Sequence, residues 1–212
     1  MPNLRRTVAA LAGLVLVAPL PTLAEKADRF KPLNVEADLP GKIDLLKQHV
    51  VFNGNVVVTK GTMTIRANRI EVRESPDGYH TAVAFGSPSQ HATFRQKRDA
   101  PDEYIAGDAE RLEYDGKSDV IRFVNNASVR RLRGSETSDE ISGNLVTYDS
   151  GTEVFNVTGG ATPTAANPGG RVRAVLTPRE GSAAAAEAAA GASAAASAPA
   201  QLRTAPALGA KP

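Results

Sequence analysis

The chain has no cysteine and no tryptophan, and aromatic residues of all kinds make up 5% of its 212 residues. Without cysteine no disulfide can staple the fold, so a core or a partner must hold it. With so few rings, that core must be built from valine, isoleucine and leucine. An excess of charge is also lacking. Lysine and arginine number 25 against 23 aspartate and glutamate, and the first 24 residues hold two of the arginines, Arg5 and Arg6, and no acid. The rest of the chain therefore balances to zero. A balanced chain is a poor general nucleic-acid binder, whose affinity comes from neutralised phosphates. Nor is there an apolar run of the roughly 20 residues that a membrane-spanning helix needs.

Catalytic signatures are missing as well. No Gly-x-Ser-x-Gly elbow, phosphate loop or His-Glu-x-x-His pattern occurs. His49, His80 and His91 have no metal-like spacing to one another or to acids, and they are read as solvated or structural. The acidic pairs Asp102-Glu103 and Asp139-Glu140 follow polar segments and precede strands, so they are read as solvated loop charges. No catalytic residue, metal site or cofactor is expected. Because β-solenoid enzymes that cleave polysaccharides do use such acids, a hydrolase or lyase acting on envelope polysaccharide stands as the alternative from another class.

What is present begins with a leader. Arg5-Arg6 form a basic start, Val8 to Leu20 a short apolar run, and Thr22-Leu23-Ala24 offers small residues where a signal peptidase reads. Residues 1–24 are expected to be a signal peptide, and an uncleaved membrane anchor is the competing reading. At the other end, residues 181–212 are rich in alanine with interspersed Ser, Gly and Pro. They show no apolar periodicity and are expected to be disordered or transiently helical. Residues 25–180 remain as the folded domain.

Within that domain strand signals are dense and helix signals nearly absent. Val50-Val51-Phe52, Val56-Val57-Val58, Met63-Thr64-Ile65, Ile70-Glu71-Val72, Val120 to Phe123 and Val172 to Leu176 are apolar segments separated by Gly, Asn or Asp. The pattern predicts an all-β antiparallel architecture. A weak repeat runs through it: Ile65-Arg66-Ala67-Asn68, Ile105-Ala106-Gly107-Asp108 and Ile141-Ser142-Gly143-Asn144 begin 40 and then 36 residues apart. Stacked β units sharing one core have such a period. Across Met63 to Val72 the apolar positions switch from odd (Met63, Ile65, Ala67) to even (Ile70, Val72). A strict strand cannot change face, so the chain must turn a corner near Asn68. Corners in every unit describe a V-shaped or rolled sheet with an apolar interior.

Two basic clusters, Arg95 to Arg98 and Arg130 to Arg133, follow apolar strands. Arginine bonds phosphate bidentately, so Arg95, Arg98 and Arg130 are candidates for contact with anionic headgroups at the mouth of an apolar groove. A solvated edge that discourages aggregation is the plainer reading.

The stretch Phe52-Asn53-Gly54-Asn55-Val56-Val57-Val58-Thr59-Lys60-Gly61-Thr62-Met63-Thr64-Ile65-Arg66-Ala67-Asn68-Arg69-Ile70-Glu71-Val72 resembles the signature of the OstA-like family of periplasmic lipopolysaccharide-transport proteins. Pro32 to Asp38, Ala92-Thr93-Phe94, Tyr114-Asp115 and Arg171 to Pro178 match the family in order. The loop Glu74 to Tyr79 and the alanine-rich tail depart from it. The resemblance implies an open antiparallel β-jellyroll of V-shaped, stacked strands that holds the acyl chains of lipopolysaccharide, through its lipid A portion. It implies a bridge across the periplasm, built by head-to-tail homo-oligomers between an inner-membrane jellyroll partner and an outer-membrane assembly protein. No nucleotide site is visible, so direction must come from a partner ATPase. A membrane-anchored jellyroll of the same transport system is the nearer alternative. Carried onto this sequence, the resemblance makes Leu33, Val35, Phe52, Val56, Ile65, Phe94, Leu112, Tyr114 and Phe123 the expected lining of the lipid groove.

Overall fold

The computed structural model describes residues 28–160, 170–179 and 181–197; the expected leader lies outside them. The described chain is antiparallel sheet, with one helix after it. Four long strands form the frame: β3 (His49–Lys60), β4 (Met63–Glu74), β9 (Val120–Arg133) and β10 (Glu136–Asp149). Each is bent in its middle, and each half pairs with different short strands.

One set of halves makes a first arm. There β1 (Asn34–Glu36) pairs with β3, β4 with β6 (Ala92–Lys97), β6 with β7 (Glu103–Ala109), β7 with β9, and β10 with β12 (Arg173–Leu176). The other halves make a second arm. There β2 (Lys42–Asp44) pairs with β3, β4 with β5 (His80–Phe85), β5 with β8 (Arg111–Asp115), β8 with β9, and β10 with β11 (Val154–Thr158). The β3–β4 and β9–β10 pairings run through both arms. The described strands form one continuous sheet folded into a V, its two arms joined along a corner.

Why the strands bend is visible in their residues. On β3 the register slips between Asn53 and Val56, where Gly54 and Asn55 take positive φ of 75° and 44°. On β9, Asn125 and Asn126 do the same at 63° and 50°, opposite the slip between Gly143 and Leu145 on β10. Asn and Gly tolerate the left-handed region, and extra residues on one strand force a bulge and a bend. Between β7 and β8 the corner is one residue, Glu110. Its amide donates to Asn125 O (3.1 Å), and its carbonyl accepts from Gly86 N (2.9 Å), which carries the ladder around the bend. The expected switch of face on β4 is present: Met63, Ile65 and Ala67 are buried before the corner, and Ile70 and Val72 after it.

The three repeat copies all prove to be corner units. Their isoleucines, Ile65, Ile105 and Ile141, pack into or against the core of the first arm. The small residue two places on sits where the arms converge. At Gly107 a Cβ would fall 2.5 Å from the Phe123 ring and 2.9 Å from Ser128 O, so this site has no room for a side chain.

In the tail, Ala183–Ser197 forms helix α1. Alanine has the highest helix propensity, and Ser182 supplies a cap, its Oγ accepting from Ala185 N at 3.2 Å. Its described side chains are exposed except Ala185, which is half-buried. The tail expected to be disordered or transiently helical is thus a helix over Ala183–Ser197, which rests on propensity and capping, with almost no packing by its described side chains.

Candidate functional site

The space between the arms is the candidate site. Val56, Val58, Met63, Ile65, Phe94, Ile105 and Val129 come from the first arm, and Ile70, Val72, Leu112, Tyr114, Ile121, Phe123, Val146 and Tyr148 from the second. Of the residues expected to line a groove, Val56, Ile65, Phe94, Leu112, Tyr114 and Phe123 are buried here together, none more than 4% exposed. Phe94 and Phe123 meet across the V edge to face, with centroids 5.7 Å apart at 88°. Leu33, Val35 and Phe52 are partly buried and pack against the same core at its β1–β2 end. All nine therefore belong to one apolar body.

Sequence reasoning left out Tyr148, which stacks on Phe155 at 4.5 Å between centroids. The signal was available, because Tyr148 occupies in its repeat the place of Tyr114. Ile105 likewise stands where Ile65 does.

The interior closes in its middle and opens toward the ends. At the β11–β12 end a cavity of about 300 Å³ lies between the arms, lined by Val129, Ile141, Phe155 and Leu176, with Arg98 and Glu153 at its polar side. Exposed apolar side chains gather at both ends. Leu39, Ile43, Leu45 and Leu46 stand at the β1–β2 end, and Val154, Val172, Val175 and Leu176 at the other.

Along the mouth, where the arm tips face each other, polar contacts join the arms. Lys60 continues the inward alternation of Val56 and Val58, so the strand brings its ammonium inside; it is 8% exposed. Its Nζ donates to Tyr114 Oη across the V (3.0 Å), and Tyr114 Oη donates to Asp119 Oδ1 (2.9 Å). Ser150 Oγ donates to Asp119 O at 2.6 Å. Burial lowers the Lys60 pKa below the ordinary lysine value, opposed by Asp119 and Asp28 and assisted by Arg29. Burial, with the Asp119 charge beside it, holds the Tyr114 hydroxyl well above the ordinary phenol range.

A short strap crosses the same mouth. The Asp28 carboxylate accepts from Thr62 N (2.9 Å) and from Gln96 Nε2 (3.3 Å) on the first arm. The next residue, Arg29, donates to Lys117 O (2.5 Å) on the second. Gly61 makes room for this strap, since a Cβ there would lie 1.9 Å from Asp28 Oδ1.

The three arginines expected at the mouth do not sit together. Arg95 alternates with the inward Phe94 and Gln96, so it faces outward, its guanidinium 4.0 Å from the Tyr104 ring centre. Arg130 also lies on the outer face of the first arm, bonded to Asp108 at 2.8 Å. Strand alternation thus takes both away from the mouth. Arg98 alone stands there, paired with Glu103 (2.9 Å) on its own arm and with Glu153 on the other.

The acidic pairs are structural partners in this arrangement. Glu103 pairs with Arg98 and Arg133. Asp139 and Glu140 lie inside β10, not in a loop as expected, because Arg131 and Ser128 on β9 give them partners. Each histidine faces a carboxylate: His49 with Glu71, His80 with Glu74, and His91 with Asp108. Among the described residues no group of His, Asp or Glu is placed to hold a metal ion.

Residues 34–154 match the family described as "LptA/(LptD N-terminal domain) LPS transport protein". The chain is similar to the lipopolysaccharide export system protein LptA of Haemophilus influenzae, 31% identical over 173 residues that cover 80% of this chain and 90% of the relative. The Escherichia coli K12 protein of the same name is 29% identical over 134 residues, covering 62% of this chain and 70% of the relative. In fold the chain is similar to the crystal structure of LptH, the LptA homologous periplasmic component from Pseudomonas aeruginosa. The TM-score is 0.60 at 23% identity, over 71% of this chain and 99% of that one. A match across more than half of the chain, seated on this V of paired sheets, means that the chain belongs to the LptA/LptD N-terminal domain family of lipopolysaccharide transport proteins.

Proposed function

We propose that the protein is a periplasmic carrier that holds the acyl chains of lipopolysaccharide between its arms. It passes them along a bridge from the inner-membrane jellyroll partner to the outer-membrane assembly protein, and it does so without catalysis. The observation that carries this is the interior itself: one apolar body reaching from Leu33 and Phe52 at one end to Phe155 and Val157 at the other, with a strand edge at each end that no described strand pairs. Burying each methylene contributes about 0.8 kcal/mol, so enclosing even short lengths of several acyl chains supplies a usable affinity. Unpaired edge strands are templates for pairing with another sheet. This favours copies stacked head to tail, with an end available for each membrane partner.

Photo-crosslinking tests it. A photoreactive residue at Phe94 or Ile65 should capture lipopolysaccharide in cells, whereas one at the outward Arg66 or Arg95 should capture little of its acyl portion. Equal capture from both faces would mean that the space between the arms is not the lipid path.

A further inference from the structure

The mouth of the V carries cations that the apolar interior does not explain. Lys60 is buried, yet among the described residues its ammonium donates to one neutral acceptor, the Tyr114 hydroxyl. An ammonium has three donors and normally keeps water or carboxylates around them. Further along the mouth Arg98 spans the two arms through Glu103 and Glu153, and its buried Nε has no partner among the described residues. The two positions are neighbours on the first arm: Lys97 N donates to Thr62 Oγ1 at 3.3 Å, which joins the turn after Lys60 to the segment before Arg98. Each cation is joined to the opposite arm, through Tyr114 and Asp119 or through Glu153. Opening the mouth breaks those links and leaves the cations exposed at the rim of an apolar cleft.

We propose that Lys60 and Arg98 form an anion-binding pair for the phosphates of the amphiphile whose chains enter the cleft. Their contacts to the opposite arm are then a latch that those phosphates replace. This rests on the lipid-carrier reading above and adds a recognition element to it. Chains alone would have to separate arms that buried polar contacts hold together. A phosphorylated lipid brings replacement acceptors for the same donors: at Arg98 one anion exchanges for another, and at Lys60, whose present acceptor is a neutral hydroxyl, the charge-assisted bond to phosphate is about twice as strong. The phosphates and the chains must act together, because the cations become accessible only when the cleft is occupied.

The two sides of the latch predict opposite signs, which a merely structural role does not. Binding of bis-phosphorylated lipid A and of its phosphate-free derivative, in the same detergent, should be measured for the full mature chain and its variants. Wild type should prefer the phosphorylated lipid by about tenfold, a difference near 1.4 kcal/mol. Lys60→Met should bring that ratio close to one, by weakening the phosphorylated lipid and, with its part of the latch gone, not weakening the phosphate-free one, and Lys60→Arg should restore it. Glu153→Gln removes the charge that pairs with Arg98 from a half-exposed tip and should tighten phosphorylated lipid several-fold. Inorganic phosphate at matched phosphate concentration should not compete.

An unchanged preference in Lys60→Met, or weaker lipid binding in Glu153→Gln, would overturn the latch. Competition by inorganic phosphate would overturn the coupling of anion to chain. If both lipids bind wild type equally, the latch fails while the carrier reading stands. If neither lipid binds, both fail.

Discussion

At the scale of single residues, opposite faces of one strand separate the interior from the surface. Ile65 is 1% exposed while its neighbour Arg66 points to solvent. Ile65→Asp puts an unpaired carboxylate among aliphatic side chains and should cost about 4 kcal/mol or more, seen as unfolding or loss of lipid capture. Arg66→Asp should shift the denaturation midpoint little. Gly107→Ala tests the close approach at the corner. The new methyl must displace the Phe123 ring, and urea denaturation should show a loss of about 1–3 kcal/mol. Lys60 makes a different prediction. Because burial lowers its pKa in the folded state, the unfolded chain binds more protons between that lowered value and the ordinary one. Stability therefore rises with pH through that window, and the folded protein carries the cost of the buried charge below it. Lys60→Met should raise Tm by a few degrees at pH 7, with the gain shrinking as pH approaches the ordinary lysine pKa. A variant that is more stable yet poorer at binding phosphorylated lipid would separate function from packing at one position.

At the scale of elements, the corners are legible in the sequence and the mouth is not. The change from odd to even apolar positions on β4 predicts a bend, and the repeated Ile-x-small-Asn or Asp motif locates it in three units, because local sterics decide where a strand can turn. The same alternation carries Lys60 inward, but a lysine among valines reads as a strand end until its partner is known. That partner, Tyr114, is 54 residues away. The acids of β10 read as loop charges for a related reason: the arginines that let Asp139 and Glu140 enter a strand sit on β9. The outward turn of Arg95 and Arg130 is legible, since each alternates with an inward neighbour, Phe94 or Val129. The tail is the converse case, since helix α1 follows from alanine propensity and a serine cap alone. Truncation after Gly181 removes a helix with almost no buried surface, so calorimetry should find Tm unchanged to within about a degree. A larger loss would mean that α1 packs on the sheet.

At the scale of the molecule, the two ends differ from the middle. Inside, strands have neighbours on both sides. Among the described residues, β1 and β2 at one end pair only with β3, and β11 and β12 at the other pair only with β10. Natural sheets usually protect such edges with charge or proline. Here the β11–β12 end instead displays Leu176 at 73% exposure and Val175 at 43%, and the β2 end displays Ile43 at 61%. An edge that is both unpaired and apolar is suited to continuing the sheet into a second copy, which would also join the two interiors into one path. Such a head-to-tail contact would be heterologous, so nothing would close it and its length should grow with concentration. Sedimentation velocity should accordingly show a ladder of species that shifts upward as protein is added. Leu176→Asp places a charge on the displayed edge, at the rim of the end cavity and outside the buried core, and it should leave Tm nearly unchanged while collapsing the ladder to monomer. An outward charge reversal far from either end, Arg122→Glu on the face of β9, should leave the ladder intact. If Leu176→Asp and the wild type sediment alike at every concentration, the exposed edge serves some contact other than self-stacking.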